Sequence, residues 1–384
     1  MTSVQPFQLD IPQSELDDLR RRLEHARFPE PATVDGWGQG VPIDRLRDLI
    51  AYWRDGYDWR RCEVVLNGLG QSRTKIDGLD IHFLHVRSQH EGALPLLLTH
   101  GWPGSVIEFL KVIGPLTDPE AHGGRVEDSF DLVIPSLPGF GFSDKPREAG
   151  WGVERIAAAW AVLMERLGYT RYVAQGGDWG SSVSVEMGGQ QPRGLVGIHL
   201  NMLSLKPDPL DEELDADEQE ALDKLQLFAN CESAYARQQA TKPQTLGYAL
   251  ADSPVGQAAW IYEKFRTWSD CDGDPETVLS RDEILDNIML YWLTNSGASS
   301  ARLYHESMGS FRPKHVTLPV GFSAFPKEII PTPRKWAEQV FPNIIHWNRL
   351  DKGGHFAAFE QPELFVSELR TCFAKLRCRA AEHA

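Results

Sequence analysis

Long apolar runs are missing from this chain, and no stretch approaches the roughly 20 residues that cross a bilayer. The start, Met1-Thr2-Ser3-Val4-Gln5-Pro6, lacks the basic and apolar regions of a secretory signal. Positive charge is in deficit as well. A formal net charge of −15 argues against a nucleic-acid binder, because recognition of phosphates needs clustered Lys and Arg. The one cluster, Arg20-Arg21-Arg22, lies among Glu15, Asp17, Asp18 and Glu24 and reads as a solvated helix face. Cysteine is scarce. Cys62, Cys231, Cys271, Cys372 and Cys378 form an odd, scattered set without a Cys-x-x-Cys pair, which argues against a disulfide framework and a zinc site. Neither an internal repeat nor a low-complexity segment is present. These absences leave a soluble, cytoplasmic protein without a membrane anchor or metal, and its 384 residues can bury a large core.

What is present changes texture along the chain. Residues 1–75 read as helical and irregular, with a helix start at Ile11-Pro12-Gln13-Ser14 (Ser14 as N-cap) and Leu16, Leu19 and Leu23 at helical spacing. A second amphipathic run carries Ile43, Leu46, Ile50 and Trp53. From Lys75 the pattern turns to strands. A hairpin is centred on Asp77-Gly78, and apolar runs at 94–98, 130–134, 172–174 and 195–200 alternate with helical stretches. Such alternation predicts a mostly parallel sheet covered on both faces. It breaks at Lys206-Pro207-Asp208-Pro209 for about a hundred helical, aromatic residues. Strand character then returns at 316–325 and 344–347, and a closing helix spans 360–376. The expected layout is an extension over 1–75, a core over 76–205 and 306–384, and a helical cap over 206–305.

The chemistry gathers where strands end. The run Tyr172–Ala174 leads into Gly176-Gly177-Asp178-Trp179-Gly180 and then a helix, a sharp turn whose glycines relieve crowding around a strained central residue. A serine at that centre attacks acyl groups. A carboxylate attacks saturated carbon and leaves an ester that water can hydrolyse, so Asp178 points to opening carbon–oxygen or carbon–halogen bonds. After the strand at 94–98, His100-Gly101-Trp102-Pro103-Gly104-Ser105 suits an oxyanion hole in which the backbone N–H of Trp102 joins that of Trp179. His355, in Asp351-Lys352-Gly353-Gly354-His355 after the last strand, suits a base that activates water. Glu328, after the strand at 316–325, is preferred to Asp351 as the acid orienting it, since an orienting group generally comes from a separate loop. Gly297-Ala298-Ser299-Ser300-Ala301 mimics a serine elbow but follows a helix-like run, and reads as a helix break in the cap.

These motifs, with Ile11-Pro12, Tyr57-Asp58-Trp59-Arg60, Pro135-Ser136-Leu137-Pro138-Gly139-Phe140-Gly141, Asp252-Ser253-Pro254 and Gly353-Gly354-His355-Phe356, make the chain resemble the microsomal-type epoxide hydrolases of the α/β-hydrolase superfamily over nearly its whole length. The resemblance implies an α/β-hydrolase fold with inserted helical cap and N-terminal helical extension. It also implies a small-molecule epoxide as substrate, no cofactor, Glu328 in the charge-relay position, and two cap tyrosines, Tyr235 and Tyr304, that donate to the epoxide oxygen. Animal microsomal members carry an N-terminal membrane anchor, so the likeness is to a soluble member; dimerisation rests on likeness alone. Rival readings are a haloalkane dehalogenase, with Trp102 and Trp179 binding halide, and a non-catalytic binder on the same fold.

Overall fold

A computed structural model describes residues 3–310 and 314–377; Met1, Thr2 and Cys378 lie outside the described residues. Nine strands form one sheet. They are β1 (Gln5–Pro6), β2 (Gln71–Ile76), β3 (Leu79–Val86), β4 (Leu94–Thr99), β5 (Phe130–Pro135), β6 (Tyr172–Gly176), β7 (Leu195–Leu200), β8 (Val320–Ala324) and β9 (Ile344–Arg349). Their spatial order is β1-β2-β3-β5-β4-β6-β7-β8-β9, antiparallel as far as β5 and parallel from there on. The central strands are short runs buried on both faces, as parallel sheets require. The helices Leu110–Thr117 and Pro362–Arg377 pack together against the sheet, and Val153–Arg166 and Asp178–Gln190 form a second packed pair.

Three boundaries differ from expectation. The sheet starts at Gln71 rather than Lys75, because β2 buries only Gln71, Thr74 and Ile76 and so lacks a continuous apolar run, and Gln5–Pro6 of the extension pairs with it. The strand read over 316–325 is confined to Val320–Ala324, since a bend at Leu318 before Pro319 ends the ladder. Ser14 is not a cap. The helix Gln13–Glu24 starts one residue earlier, behind Pro12, with no side-chain cap bond.

β4 is the switch point of the sheet. The chain leaves it toward β5 on one side and β6 on the other, and Thr99 pairs with Gly176 in parallel register. The loops after β4 and β6 therefore emerge side by side, which is where open α/β sheets bind ligands. Between β7 and β8 run the helices Ala216–Leu227, Ala234–Thr241, Pro243–Asp252, Pro254–Trp268, Arg281–Leu293 and Gly297–Ser307. The Gly297–Ala301 segment opens the last of these, beyond the break at 294–296.

The extension packs on this layer through the helices Gln13–Glu24, Ile43–Asp55 and Trp59–Asn67. Each buries one stripe, including Leu19, Leu49, Trp53, Trp59 and Leu66. At roughly 1.5–3 kcal/mol per fully buried large apolar side chain, that stripe holds the extension down. Polar contacts fix its register. Tyr52 donates to Asp282 at 2.8 Å, Tyr57 to Asp286 at 2.7 Å, and Trp53 Nε1 to Met289 Sδ at 3.2 Å. No described helix is long and apolar enough to cross a membrane.

Candidate active site

Asp178 has φ +49°, a left-handed conformation that costs a non-glycine residue energy and persists only where neighbours enforce it. Its neighbours do so by crowding. A Cβ on Gly176 would lie 2.0 Å from the Gly180 carbonyl oxygen, and one on Gly180 would lie 1.9 Å from that of Thr99. Only glycines let β6 turn this tightly into the helix beside β4. The turn lifts the carboxylate to the helix N-terminus, where a negative charge is favoured.

The loop after β4 crosses directly over the carboxylate. A Cβ on Gly101 would sit 2.2 Å from Asp178 Oδ1, and the backbone N–H of Trp102 donates to that oxygen at 2.8 Å. Two residues that sequence reasoning missed hold this loop from above. Asn287, fully buried, donates to the Pro103 carbonyl at 2.8 Å and accepts from Ser105 Oγ at 2.7 Å; Tyr291 donates to the Gly104 carbonyl at 2.8 Å. Both lie on one face of Arg281–Leu293. A neighbouring face of that helix presents Asp282 and Asp286 to the extension.

His355 and Glu328 come from separate loops joined by a parallel bridge, Lys327 to Gly354, with Lys327 N–H donating to Gly353. The joint brings His355 Nδ1 to 2.7 Å from Glu328 Oε1, and both side chains are buried. His355 Nε2 lies 3.5 Å from Asp178 Oδ2. Asp351 is exposed on the same loop as the histidine, so the acid beside His355 is Glu328. The cap also grips this loop: His355 N–H donates to the Trp268 carbonyl at 2.9 Å, and Gly353 N–H to Asp270 Oδ2 at 2.9 Å.

Burial by itself would lower the His355 pKa, but the Glu328 and Asp178 carboxylates outweigh it and hold the imidazole well above its ordinary value. At neutral pH His355 is therefore an imidazolium between the side chains of Asp178 and Glu328.

Tyr235 and Tyr304 are buried opposite Asp178 in an aromatic wall. Tyr235 stacks on Trp102, with centroids 5.1 Å apart and planes at 12°; Tyr304 stands edge-on to Trp179 at 4.8 Å; the two phenol rings meet at 5.9 Å. Trp268 completes the wall against Tyr235 and His355. Burial first, then the Asp178 charge for Tyr235 and the neighbouring Tyr235 followed by Asp178 for Tyr304, raise both phenols well above the ordinary value, so they are neutral donors. All seven residues singled out in the sequence thus belong to one cluster of contacts. Among the described residues no group of three His, Cys, Asp or Glu is arranged to hold a metal.

Comparison with known proteins follows the same lines. The chain matches the family model of the epoxide hydrolase N terminus over residues 4–109 and that of the alpha/beta hydrolase fold over 95–245. It is 59% identical over 378 residues to a Stigmatella aurantiaca protein named among the epoxide hydrolases, covering 98% of this chain and 86% of that one. It is 39% identical over 399 residues to epoxide hydrolase 1 of Sus scrofa, covering 96% and 88%. The crystal structure of the juvenile hormone epoxide hydrolase of the silkworm Bombyx mori superposes with a TM-score of 0.90 at 31% identity, over 99% of this chain and 96% of that one.

Proposed function

This chain belongs to the epoxide hydrolases of the α/β-hydrolase fold, and from that premise we propose that it converts an epoxide and water to a vicinal diol through a covalent ester on Asp178. One observation carries the mechanism: the two oxygens of Asp178 have different partners. Oδ1 accepts from the Trp102 N–H, while Oδ2 faces His355 Nε2. Oδ2 is the attacking atom in this reading, and Oδ1 becomes the ester carbonyl, already seated where an oxyanion develops. The N–H of Trp179, next in the chain, is the second donor. In this reading the helices of the extension and of the cap close the site over the sheet.

Asp178 attacks one epoxide carbon, and the opening oxygen takes a proton from the Tyr235–Tyr304 pair. A phenol suits this role because it is neutral at working pH yet acidic enough to protonate an alkoxide. Esterification removes the Asp178 charge, and with it one of the two supports that keep His355 protonated. The imidazolium then gives up its proton to restore the phenols and becomes a neutral base. His355, held by Glu328, next takes a proton from water. The hydroxide adds to the ester carbonyl, and the tetrahedral intermediate expels the diol oxygen, which takes the proton of the newly added hydroxyl as it leaves. Asp178 carboxylate and His355 imidazolium are regenerated, so proton and charge balance over the cycle. The buried phenol pair supports oxygen over halide as the leaving group. The aromatic wall is compatible with a bulky or aromatic epoxide.

The test is intact mass of His355→Ala after exposure to styrene oxide and, separately, to a bromoalkane. A gain equal to the whole epoxide, mapped to Asp178, is the expected result. Normal turnover by this variant, or an adduct on another residue, would refute the mechanism; labelling by the bromoalkane alone would make halide the leaving group.

A further inference from the structure

The ester cycle leaves one acidic side chain without a role. Glu108, in the short turn Val106–Phe109 directly after the oxyanion loop, sets a carboxyl oxygen against Gly104 of that loop. A Cβ on Gly104 would lie 1.2 Å from Glu108 Oε1, so the acid occupies the space a side chain at 104 would fill. Glu108 is only half-buried by accessible surface, and it lines a small cavity of about 20 Å³ together with Asp178, His355, Gln175 and Asn201. That volume admits one water molecule, which needs about 10–15 Å³ and two to four polar partners. The same cavity wall includes Asp178 and His355, the two groups that the second half-reaction needs.

We propose that Glu108 is a positioning residue for the hydrolytic water, holding it in this cavity between His355 and the ester carbonyl carbon of Asp178. The inference rests on the ester mechanism above. One water hydrogen points to the Glu108 carboxyl oxygen and the other to His355 Nε2, which turns an oxygen lone pair toward the Asp178 carbon. As the new carbon–oxygen bond forms, the proton passes to His355 alone, and Glu108 ends the step as it began. Its neutrality suits a group beside an anion. Burial, opposed by His355 and reinforced by Asp178, pushes the carboxyl up to about 8, so it stays protonated at neutral pH and leaves the developing oxyanion unopposed.

The experiment separates the two half-reactions by rapid-quench intact mass with styrene oxide, using the wild type, Glu108→Leu, Glu108→Gln and the His355→Ala control. In Glu108→Leu, alkylation stays near the wild-type rate while ester hydrolysis slows about ten-fold or more, the order expected for one lost hydrogen bond to a reacting group. The ester then accumulates in the steady state. Glu108→Gln restores hydrolysis, because the amide oxygen accepts the same hydrogen. Unchanged hydrolysis in the leucine variant, equal slowing of both steps, or no rescue by glutamine would overturn the assignment. Should leucine prevent folding, Glu108→Met supplies the same comparison. An adduct in His355→Ala with none accumulating in Glu108→Leu condemns Glu108 alone, whereas no adduct in His355→Ala removes the ester mechanism and this role with it.

Discussion

Replacing Asn287 by leucine isolates the hold on the oxyanion loop. The side chain is fully buried, touches no reacting atom, and satisfies both the Pro103 carbonyl and the Ser105 hydroxyl. Leucine keeps the volume but leaves the Pro103 carbonyl without its donor, at about 1–3 kcal/mol for an unsatisfied buried group. The serine can turn away, so the expected loss of stability is about 2 kcal/mol, within the range that leaves the fold intact. The catalytic effect comes through Trp102. Complete loss of an oxyanion donor costs roughly 10²–10³ in rate. Tyr291 still holds Gly104, so the loop loosens rather than leaves, and ester hydrolysis should fall about ten- to a hundred-fold, part of that full cost. Single-turnover mass spectrometry reads this directly, with urea denaturation as the check on folding. Adding Tyr291→Phe should bring the loss toward the full value. A folded Asn287→Leu variant whose hydrolysis rate stays within about two-fold, or whose defect lies entirely in KM, would refute the reasoning.

Two further outcomes follow from the buried polar groups. The double variant Tyr235→Phe, Tyr304→Phe keeps the aromatic wall but removes both donors. Alkylation should drop by about 10²–10⁴, the usual span for a lost general acid, and a rate within ten-fold of wild type in stopped-flow traces would rule the phenols out. Acid should both cost and return stability well above the ordinary carboxylate range. Burial holds His82 at about 3, His100 at about 4 and His199 at about 3, so each is neutral when folded and protonates near 6.5 when unfolded. At these three sites the unfolded chain binds more protons, and between pH 7 and 5 each costs about 2 kcal/mol, or about 6 together. The buried carboxyls act with the opposite sign: Glu108, Glu360 and Asp286, pushed up to about 8, 7 and 6, protonate in the folded chain before the unfolded one and return a similar amount over the same drop. His355 adds about 1 kcal/mol, since its raised pKa gives its full stabilisation only below 6.5. Urea midpoints should therefore move little between pH 7 and 5, and a loss of several kcal/mol would contradict the raised carboxyls.

The candidate residues of the core are legible because Asp178, His355, Glu328 and Trp102 each sit in a short local pattern beside a strand end. Gly176–Gly180 encodes a turn whose glycines are required by contacts of about 2 Å, and the sequence shows those glycines even where it hides the contacts. His355 and Glu328 were found by following the last two strands, although one of those strands is half the length its apolar pattern suggested. That error was harmless, because the bend at Leu318 shortens the entry side of the strand and leaves its exit, where Glu328 lies, unchanged. Glu108 was not legible. It belongs to the site through the small cavity it shares with Asp178 and His355, and no spacing along the chain records a cavity.

Arg281–Leu293 shows why the supporting residues were harder to read than the reacting ones. Its central run, Ile284-Leu285-Asp286-Asn287-Ile288, puts two adjacent polar residues in an apolar stretch, a pattern that could be taken for a solvent-facing stripe. Both are buried instead. Consecutive helical residues point about 100° apart, so the two serve different neighbours. Asp286, with Asp282 one turn before it, meets Tyr57, Tyr52 and Arg61 of the extension. Asn287, with Tyr291 one turn after it, meets the oxyanion loop. Burial, only partly offset by Tyr57 and Arg61, pushes the Asp286 carboxyl up to about 6, so this junction is held by groups that are individually expensive to bury. Such groups are retained where geometry matters more than stability. One helix here ties the most N-terminal segment to the backbone N–H on Asp178, and that relation exists only once residues about 230 positions apart are folded together.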